Sequence, residues 1–440
     1  MDIKEAKKLK VVAFLPAKGT STRIPGKNMK LLNGKPVFMH TLEKICSCDF
    51  IDEVYLDTES DEMLEYAPHL RYNPFKRDKT LADNSSTGDM LIYNEAKAVD
   101  ADLYIQIMCT FPFISKESIK KGISVLLEKP EYDSVVMVKK DKLYEWKDNK
   151  PAYYVDGRIP NSVDLPDTLS ETMGFYISRR EVAINDKRRV GDHPYLLEAS
   201  PIEAVDINTL PDFEMAEKIS KGLQSEEAQY FESIKHFFNS AVFSDILTEM
   251  KYAKVITGLS PNLTYKKIFG RANTLKIRAV REGETYKGIY EALKTYDKIQ
   301  RGEIIVVENE FEDRAYFGEL NANLAIRAGA IGTIISGKTR DIELVSGMDY
   351  PVFSSGYSCF DIRGMATFGG HNKPVQIKGV TINPGDLIFA DINGIAVIPR
   401  EIEDIVLRKA IDTVKAEKNV LNGILEQTNA YSIYEKDGEF

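Results

Sequence analysis

The sequence predicts an α/β protein of two domains, and three observations support this. A chain of 440 residues is too long for one compact core. In the first half, strand-like apolar runs alternate with amphipathic stretches of helical period. In the second half, short strands rich in Ile and Val precede one long amphipathic stretch. We predict domains of residues 1–225 and 226–440, divided within a Lys-, Glu-, Ser- and Gln-rich helical segment over residues 214–238.

The predicted elements of the first half alternate between strand and helix. In order they are the strand KVVAFLPA (10–17), the helix KPVFMHTLEKICS (35–47), the strand IDEVYLDT (51–58), the helix SSTGDMLIYNEAKAV (85–99) and the strand DLYIQIM (102–108). Strand–helix–strand units at this spacing form mostly parallel sheets. Ligands of such sheets bind beyond the carboxyl ends of the strands. The loop after the first strand should therefore lie at the binding edge.

The second half has shorter strands and more turns. We predict strands at EIIVVEN (303–309), GTIISG (332–337) and QIKGVTI (376–382). The segment NPGDLIFADINGIAVIP (383–399) predicts further strands, with turns at Pro384-Gly385-Asp386 and Asn393-Gly394. The last predicted element is the long helix REIEDIVLRKAIDTVKAEKNVLNGIL (400–425).

Composition excludes several classes of function. A net charge of −9 argues against a nucleic-acid-binding protein. No run of about 18 apolar residues predicts a membrane span, and the charged start MDIKEAKKLK lacks the apolar core of a signal peptide. We therefore expect a cytoplasmic protein. Its four cysteines (Cys46, Cys48, Cys109 and Cys359) have no clustered His beside them, so we expect reduced, unreactive thiols.

The loop after the first strand, LPAKGTSTRIPGKN (15–28), concentrates positive charge among small residues. It holds the cations Lys18, Arg23 and Lys27, the glycines Gly19 and Gly26, and the hydroxyl residues Thr20, Ser21 and Thr22. Glycines let the backbone approach a ligand, while hydroxyls and cations bind phosphate oxygens. The order differs from the Walker motif, which needs Gly-Lys-Ser/Thr leading into a helix. The loop predicts a phosphate-binding site of another kind.

Five stretches in the first half carry a resemblance to a known family. They are LPAKGTSTRIPGKNMKLLNGKPVFMHTLE (15–43), KRDKTLADNSSTGD (76–89), YIQIMCTFPFI (104–114), NSVDLPDTLSETMGFYI (161–177) and SPIEAVDINTLPDFEMAE (200–217). Together they are similar to acylneuraminate cytidylyltransferases, and STRIPGK also resembles enzymes that activate the sugar acid Kdo. The resemblance implies a Rossmann-like nucleotidyltransferase fold. It also implies transfer of CMP from CTP to a sialic-acid-like or Kdo-like 3-deoxy-2-ulosonic acid, with release of pyrophosphate.

The same resemblance implies the residues of this site. The CTP nucleotide would be bound by Leu15, Ala17, Lys18, Gly19, Arg23, Lys27, Asn28, Arg77 and Gln106. Arg23 and Lys27 would act in catalysis, and Asp206 would bind Mg²⁺. The family usually has a second Asp where this chain has Asn208, whose amide oxygen can still bind Mg²⁺. Lys18 stands where Arg is more usual, which keeps the charge but loses bidentate hydrogen bonding.

A second candidate site lies in FGELNANLAIRAGAIGTIISGKTRD (317–341). Glycine-flanked turns at residues 318–319 and 337–341 follow short apolar strands. Arg340 can bind a carboxylate, and the adjacent Asp341 can bind a metal ion. This pairing suits a 2-keto acid held by Arg while a divalent ion polarises its keto oxygen. The dipeptide alone is also compatible with a surface ion pair at a strand end.

The second half carries a resemblance of its own, over residues 238–399. FSDILTEM (243–250), GELNANLAIRAGAIGTIISGKTRD (318–341) and VTINPGDLIFADINGIAVIP (380–399) are similar to 4-hydroxy-4-methyl-2-oxoglutarate aldolases, a family that includes the regulator of ribonuclease activity. The resemblance implies an α/β domain of that type, in which Asp341 binds Mg²⁺ or Mn²⁺. Substrate would be bound by Gly318, Glu319, Leu320, Asn321 and the catalytic Arg340. Glu319 and Ser336 both stand where the family usually has Asp.

Sialic acids and Kdo are formally aldol adducts of pyruvate. The two predicted domains would therefore act on the same class of compound. We expect a cytidylyltransferase fused to a metal-dependent, aldolase-like domain, with CTP and a sugar acid as substrates. Two alternatives make the second half a non-catalytic oligomerisation module or a protein-binding regulator. Relatives of the halves form dimers, trimers or hexamers, so we expect a homo-oligomer. The sugar acid, the general base and the direction of any aldol reaction are left open.

Overall fold

The computed structural model describes residues 9–21, 23–66, 68, 70–83, 85–152, 157–429, 431–432 and 435. It divides into two compact units, Met1–Ile219 and Ser220–Phe440. The division falls within a long helix, Leu210–Ile234, in the segment where the sequence predicts the boundary. Within the described part of the chain, no helix is both long enough and apolar enough to cross a bilayer.

The first unit is built on a seven-stranded sheet with helices between its strands. The main sheet and two small two-stranded sheets, β2-β3 and β8-β9, account for all described strands of the unit. These strands are β1 (Val11–Pro16), β2 (Leu31–Leu32), β3 (Lys35–Pro36), β4 (Glu53–Thr58), β5 (Asn73–Lys76), β6 (Leu103–Ile107), β7 (Ser134–Asp141), β8 (Trp146–Lys147), β9 (Lys150–Pro151), β10 (Thr168–Arg179) and β11 (Pro194–Glu198). Its helices are α1 (Val37–Cys46), α2 (Asp61–Leu64), α3 (Gly88–Ala98), α4 (Lys116–Glu128) and the start of α5 (Leu210–Ile234).

The sheet of the first unit has the order β11-β7-β10-β6-β1-β4-β5. Strand β10 runs antiparallel to both of its neighbours, while β1, β4, β5 and β6 pair in parallel. This confirms the predicted mostly parallel sheet and each of the five predicted elements. All six residues of β1 are buried, as expected for a central strand covered on both faces. The carboxyl ends of β1, β4 and β6 therefore meet at one edge.

The second unit is built on a nine-stranded mixed sheet. Its strands are β12 (Val255–Ile256), β13 (Ser260–Pro261), β14 (Ile268–Ala279), β15 (Glu303–Asn309), β16 (Ala315–Phe317), β17 (Gly332–Ile335), β18 (Lys338–Thr339), β19 (Val352–Ser354), β20 (Ala366–His371), β21 (Val375–Ile377), β22 (Val380–Ile382), β23 (Leu387–Asp391) and β24 (Gly394–Ile398). Its helices, after the end of α5, are α6 (Ser240–Glu249), α7 (Leu293–Tyr296), α8 (Glu319–Ala328), α9 (Ile342–Gly347) and α10 (Glu403–Leu425).

The main sheet of this unit has the order β12-β24-β23-β14-β15-β17-β19-β13, with β20 added beside β14. Strands β14, β15, β17 and β19 pair in parallel, so the carboxyl ends of these four strands lie at one edge. A separate two-stranded parallel sheet joins β16 to β18. This small sheet positions the second candidate site, because Gly318 follows β16 and Arg340 follows β18.

Two sequence predictions for the second unit are wrong. Residues 376–382 form a hairpin, β21–β22, and not one strand. Lys378 and Gly379, between its strands, have φ angles of 49° and 83°, which close a two-residue hairpin turn. In the following hairpin, Asp391 pairs with Gly394. The turn residues are therefore 392 and 393, one position earlier than predicted.

The buried carboxyl group of Asp386 supplies a test of this unit's stability. Asp386 is 2% exposed, accepts a hydrogen bond from the Asn383 backbone N–H at 2.8 Å, and has its pKa raised by burial to about 7. A raised pKa means that ionisation destabilises the fold, so stability should fall as pH rises from about 4 to 7. We expect Asp386→Asn to reduce this fall, by an amount on the order of 1–3 kcal/mol. Urea unfolding at pH 5 and pH 8 measures it.

The control for this prediction is Asp313→Asn, because Asp313 is exposed. It should leave the pH dependence of unfolding as in the wild type. Equal pH dependence in Asp386→Asn and the wild type would contradict the prediction.

Candidate functional sites

The loop that follows β1 is attached to the end of the neighbouring strand β4. The Ala17 N–H donates to the Asp57 carbonyl at 2.9 Å, and the Gly19 N–H donates to Glu59 Oε1 at 2.8 Å. A Cβ at Gly19 would lie 2.9 Å from the Ser60 Cβ, so glycine is required by this close approach. The loop is thereby held at the predicted binding edge. The Thr22 hydroxyl lies outside the described residues.

Lys27 and Arg23 face a second segment, the one that precedes α5. Lys27 is 7% exposed, and its Nζ donates to the Ile207 carbonyl at 2.7 Å. The Ile207 N–H in turn donates to the Thr110 carbonyl, beyond the end of β6, at 3.0 Å. Burial lowers the pKa of Lys27, the charge of Arg23 lowers it further, and Asp206 opposes this. The structure therefore places Lys27 beside the segment that holds Asp206.

Asp206 and Asn208 contact each other in this segment. The Asn208 side-chain amide donates to Asp206 Oδ2, and the Asn208 N–H donates to Asp212 Oδ2 at 3.1 Å. Asp206 Oδ1 is buried and has no hydrogen-bond partner among the described residues. An unpaired buried carboxylate oxygen is costly unless a cation or donor binds it. This oxygen therefore fits a ligand to a metal ion.

Four of the predicted nucleotide-binding residues lie deeper than expected. Leu15 and Ala17 are buried in the core, so only their backbone can contact a ligand. Arg77 is 2% exposed and makes a bidentate ion pair with Asp57, at 2.8 and 2.7 Å. Gln106 is fully buried, and its Nε2 donates to Glu95 at 2.7 Å. These four residues stay predicted contacts of the nucleotide, although their side chains are buried.

Asn28 and Lys18 fix the shape of the loop. The Asn28 amide donates to the Lys18 carbonyl at 2.8 Å, and Lys18 Nζ donates to the Asp83 carbonyl at 2.9 Å. Asn28 is 7% exposed, and its Oδ1 has no hydrogen-bond partner in the described part of the chain. Gly26 adopts a φ of 61° just before Lys27, a backbone conformation that favours glycine. These contacts and the turn at Gly26 fix the backbone from which the buried Lys27 side chain reaches the Ile207 carbonyl.

The second candidate site is a cavity of about 1050 Å³ beside α8. Five of the predicted residues line it, namely Gly318, Leu320, Asn321, Arg340 and Asp341. Much of the remaining wall is apolar or aromatic and comes from Tyr286, Ile289, Tyr290, Leu293 and Tyr316. The predicted Glu319 side chain is not among the lining residues, although its N–H donates to Asp341 Oδ2 at 3.2 Å.

Arg340 is held between two carboxylates in this cavity. Its guanidinium forms an ion pair with Asp361, and its Nε lies 3.4 Å from Asp341 Oδ2. Sequence reasoning missed Asp361, which lies 21 residues away in FDIRG (360–364). The described contacts of Asp341 fall on Oδ2, which leaves Oδ1 for another ligand. A carboxylate ligand of Arg340 would therefore have to displace Asp361 or Asp341.

Ser336 links two strands at this edge of the sheet through its hydroxyl group. It is 3% exposed, and its hydroxyl donates to the Asn309 carbonyl at 3.1 Å. The Asn309 N–H donates back to the Ser336 hydroxyl at 2.8 Å. These bonds join the ends of β15 and β17. The hydroxyl is therefore already used within the fold.

Neither site contains a ready cluster of metal ligands. Across the residues that the structure describes, no three His, Cys, Asp or Glu side chains are grouped to hold a metal ion. A divalent ion at either site would need water or substrate oxygens to complete its coordination. Mg²⁺ binds in this way, since it keeps several waters and is often held by one or two carboxylates plus substrate phosphates.

Comparisons with known proteins also divide the chain into two parts, with the boundary near residue 238. A family model described as cytidylyltransferase matches residues 12–237, and one described as aldolase/RraA matches residues 240–397. Protein DlpA of Legionella pneumophila is 31% identical over 205 residues, or 45% of this chain and 33% of DlpA. The chain thus spans about a third of the length of this relative.

The relatives whose names state an activity include two cytidylyltransferases of bacteria. The pseudaminic acid cytidylyltransferase of Campylobacter jejuni is 23% identical over 231 residues, or 48% of this chain and 97% of that protein. The 3-deoxy-manno-octulosonate cytidylyltransferase of Christiangramia forsetii is 31% identical over 123 residues, or 28% of this chain and 48% of that protein. Both names describe transfer of a cytidylyl group to an ulosonic acid.

Proposed function

The chain belongs to the cytidylyltransferase family, and we propose on this premise that its first unit transfers CMP from CTP to an ulosonic acid. The acceptor hydroxyl attacks the α-phosphorus of CTP, a new P–O bond forms, and pyrophosphate leaves. The single observation that carries the proposal is the contact of Lys27 Nζ with the Ile207 carbonyl, next to Asp206, at the carboxyl edge of the sheet. This edge is where α/β sheets bind nucleotides.

Arg23 and Lys27 would neutralise the triphosphate. Lys27 Nζ uses one of its three N–H bonds on the Ile207 carbonyl, which leaves two for phosphate oxygens. Because Lys27 is buried, its charge acts in a medium of low dielectric constant, where it stabilises the departing pyrophosphate strongly. The remaining acceleration would come from alignment of the hydroxyl with the phosphorus.

Asp206 would hold Mg²⁺ in the first unit. Its unpartnered Oδ1 fits a cation, and the triphosphate and water would supply the other ligands. Asn208 directs its NH₂ group at Asp206, so its amide would have to rotate before its oxygen could join. The ion, when bound, supplies charge neutralisation on the phosphates.

The test is pyrophosphate release from CTP with a panel of ulosonic acids. The panel includes pseudaminic acid, 3-deoxy-manno-octulosonate and an N-acylneuraminate, because these belong to the acceptor class that the relatives' names and the sequence resemblance indicate. Release with one acid, together with formation of its CMP ester, identifies the acceptor. Well-folded protein that releases no pyrophosphate with any acid would contradict the proposal.

For the second unit we propose a metal-dependent site for a 2-keto acid. The observation that carries it is the gathering of Gly318, Asn321, Arg340 and Asp341 around one cavity. Arg340 would bind the carboxylate, and Asp341 Oδ1 would hold Mg²⁺ or Mn²⁺, which polarises a keto oxygen when bound. Pyruvate formed from the ulosonic acids of the same panel would show aldol cleavage.

Gly318→Ala should disable this second site. An added Cβ would lie 2.4 Å from Asp341 Oδ2 and 3.0 Å from Arg340 Cγ, so both side chains would have to move. A displacement of about 1 Å at a reacting centre can reduce rates by about 10²-fold. We expect such a loss in pyruvate formation, with CMP transfer unchanged. Gly347→Ala is the matched control, because a Cβ there meets nothing within 4 Å.

One observation favours the non-catalytic alternative for the second unit. Arg340 is already paired with both Asp341 and Asp361, so a substrate carboxylate must displace one of them. If Asp361→Asn fails to raise affinity for pyruvate, and no pyruvate forms with any acid, an assembly role is favoured. Light scattering on the full chain would then test the predicted homo-oligomer.

A further inference from the structure

A second cavity lies in the same unit, at the amino-terminal edge of its sheet. Its volume is about 910 Å³. Its lining includes residues 266–268, 301–302, 329–331 and 348–351, which enter strands β14, β15, β17 and β19. The Arg340 site follows the other end of β17. The two cavities therefore lie at opposite edges of the parallel strands.

Cationic side chains outnumber acidic ones around this cavity. The cations are Lys235, Lys266, Lys267, Arg301 and Arg327, and the acids are Glu232 and Asp349. Lys235 pairs with Glu232 at 2.7 Å, and Lys266 pairs with Asp349 at 2.5 Å. Three positive charges are left without an acidic partner in the lining.

The three unbalanced cations differ in their contacts. Lys267 Nζ donates to the Phe238 carbonyl at 2.6 Å, a neutral acceptor that leaves its charge in place. For Arg301 and Arg327, the described part of the chain offers no ion pair and no side-chain hydrogen bond. Arg327 lies in the last turn of α8, where a positive charge interacts favourably with the helix dipole. No helix end explains Arg301.

The backbone holds Arg301 in position at the cavity. A Cβ at Gly329 would lie 3.4 Å from the Arg301 Cβ, so the arginine stem packs on this glycine. Gly329 has a φ of 92°, and the Gly302 N–H donates to its carbonyl at 2.9 Å. The loops before β15 and β17 are thus joined at the base of the arginine.

We propose that this cavity binds a small polyphosphate. Three unbalanced cations suit a ligand with several negative charges, and guanidinium groups match phosphate oxygens through paired N–H donors. The volume lies within the roughly 300–1000 Å³ range of small-molecule sites, and it exceeds the need of a single carboxylate. Pyrophosphate and CTP have this chemistry, and their choice as probes rests on the proposed function.

Titration calorimetry on the full chain tests the site. The chain carries Lys27→Met, which weakens phosphate binding in the first unit, and the probes are inorganic pyrophosphate and CTP without added metal. We expect binding of at least one probe, weakened at least tenfold by Arg301→Gln with Arg327→Gln. Arg281→Gln, at an exposed position outside the cavity, should change nothing. Stronger binding of CTP indicates a nucleotide site, and equal or stronger binding of pyrophosphate a diphosphate site.

Two results would overturn the proposal. One is that neither probe binds the Lys27→Met chain, and the other is that binding survives the double substitution. Lys267→Met provides a further variant, expected to weaken binding through loss of one charge. The assay of CMP transfer is separate, so a chain that transfers no CMP but binds polyphosphate through Arg301 would refute only the proposed function.

Discussion

Replacing Lys27 with Met is expected to lower CMP transfer by about 10²–10³-fold, the effect of removing one preorganised donor from a developing charge. Lys27 is the buried cation of the loop after β1, and the Ile207 carbonyl at 2.7 Å fixes the direction of its Nζ. Met fills much of the same space but cannot neutralise phosphate. Pyrophosphate release at saturating CTP and acceptor measures the loss in kcat.

The matched control for this prediction is Lys121→Met, since Lys121 is an exposed lysine on α4. It should retain wild-type activity. The lost hydrogen bond from the charged Lys27 to Ile207 should destabilise the variant by about 1.5–3 kcal/mol, so thermal unfolding checks that inactivity is not misfolding. Lys27→Met with activity within about threefold of the wild type, a change below 1 kcal/mol in barrier height, would place the triphosphate elsewhere.

Burial also gives Lys27 a pH signature. Its pKa lies below that of an ordinary lysine because the charged form is desolvated. The charged form is the active one in the proposed function, so kcat should fall as pH rises toward the lysine range. In Lys27→Met this alkaline fall should disappear from the residual activity.

The sequence predicts those parts of the fold that depend on local periodicity. The buried run of β1, the helices α1 and α3 and the strand β6 follow from residue patterns alone, as does the position of the charged loop. The hairpin β21–β22 was missed because its turn is closed by Lys378 and Gly379, and Lys rarely adopts a positive φ. A positive φ at a lysine cannot be deduced from composition.

In the candidate sites, too, residues of one local motif could be predicted, whereas contacts between distant segments could not. Arg340, Asp341 and Gly318 could be selected from their own motif, because the parallel pairing of β16 with β18 brings residues of one motif together. Asp361 could not, since its contact with Arg340 depends on the tertiary path of a separate loop. Arg77 was selected as a nucleotide contact, yet its partner Asp57 lies 20 residues earlier and is fully buried.

Arg77→Met is accordingly expected to destabilise the first unit by about 3–5 kcal/mol, the effect of leaving a buried charge unpaired. The Asp57 carboxylate accepts two hydrogen bonds from the Arg77 guanidinium and its carbonyl accepts a third, and Asp57 is 0% exposed. Beside it, burial raises the pKa of Glu95 well above its usual range, and Asp57 raises it further. The neutral form of Glu95 is therefore favoured, and Arg77 is the cation that balances Asp57. Thermal unfolding of the variant measures the loss.

A double variant separates the ion pair from a role in nucleotide binding. Arg77→Met with Asp57→Asn removes both charges, and it should recover much of the stability lost in Arg77→Met alone. Glu95→Gln should be tolerated, because burial disfavours the charged carboxylate and a neutral amide carries no charge to bury. If Arg77→Met instead unfolds like the wild type but has a raised KM for CTP, Arg77 contacts the nucleotide. The Asp57 pair would then open when CTP binds, because Arg77 cannot satisfy both partners from its buried position.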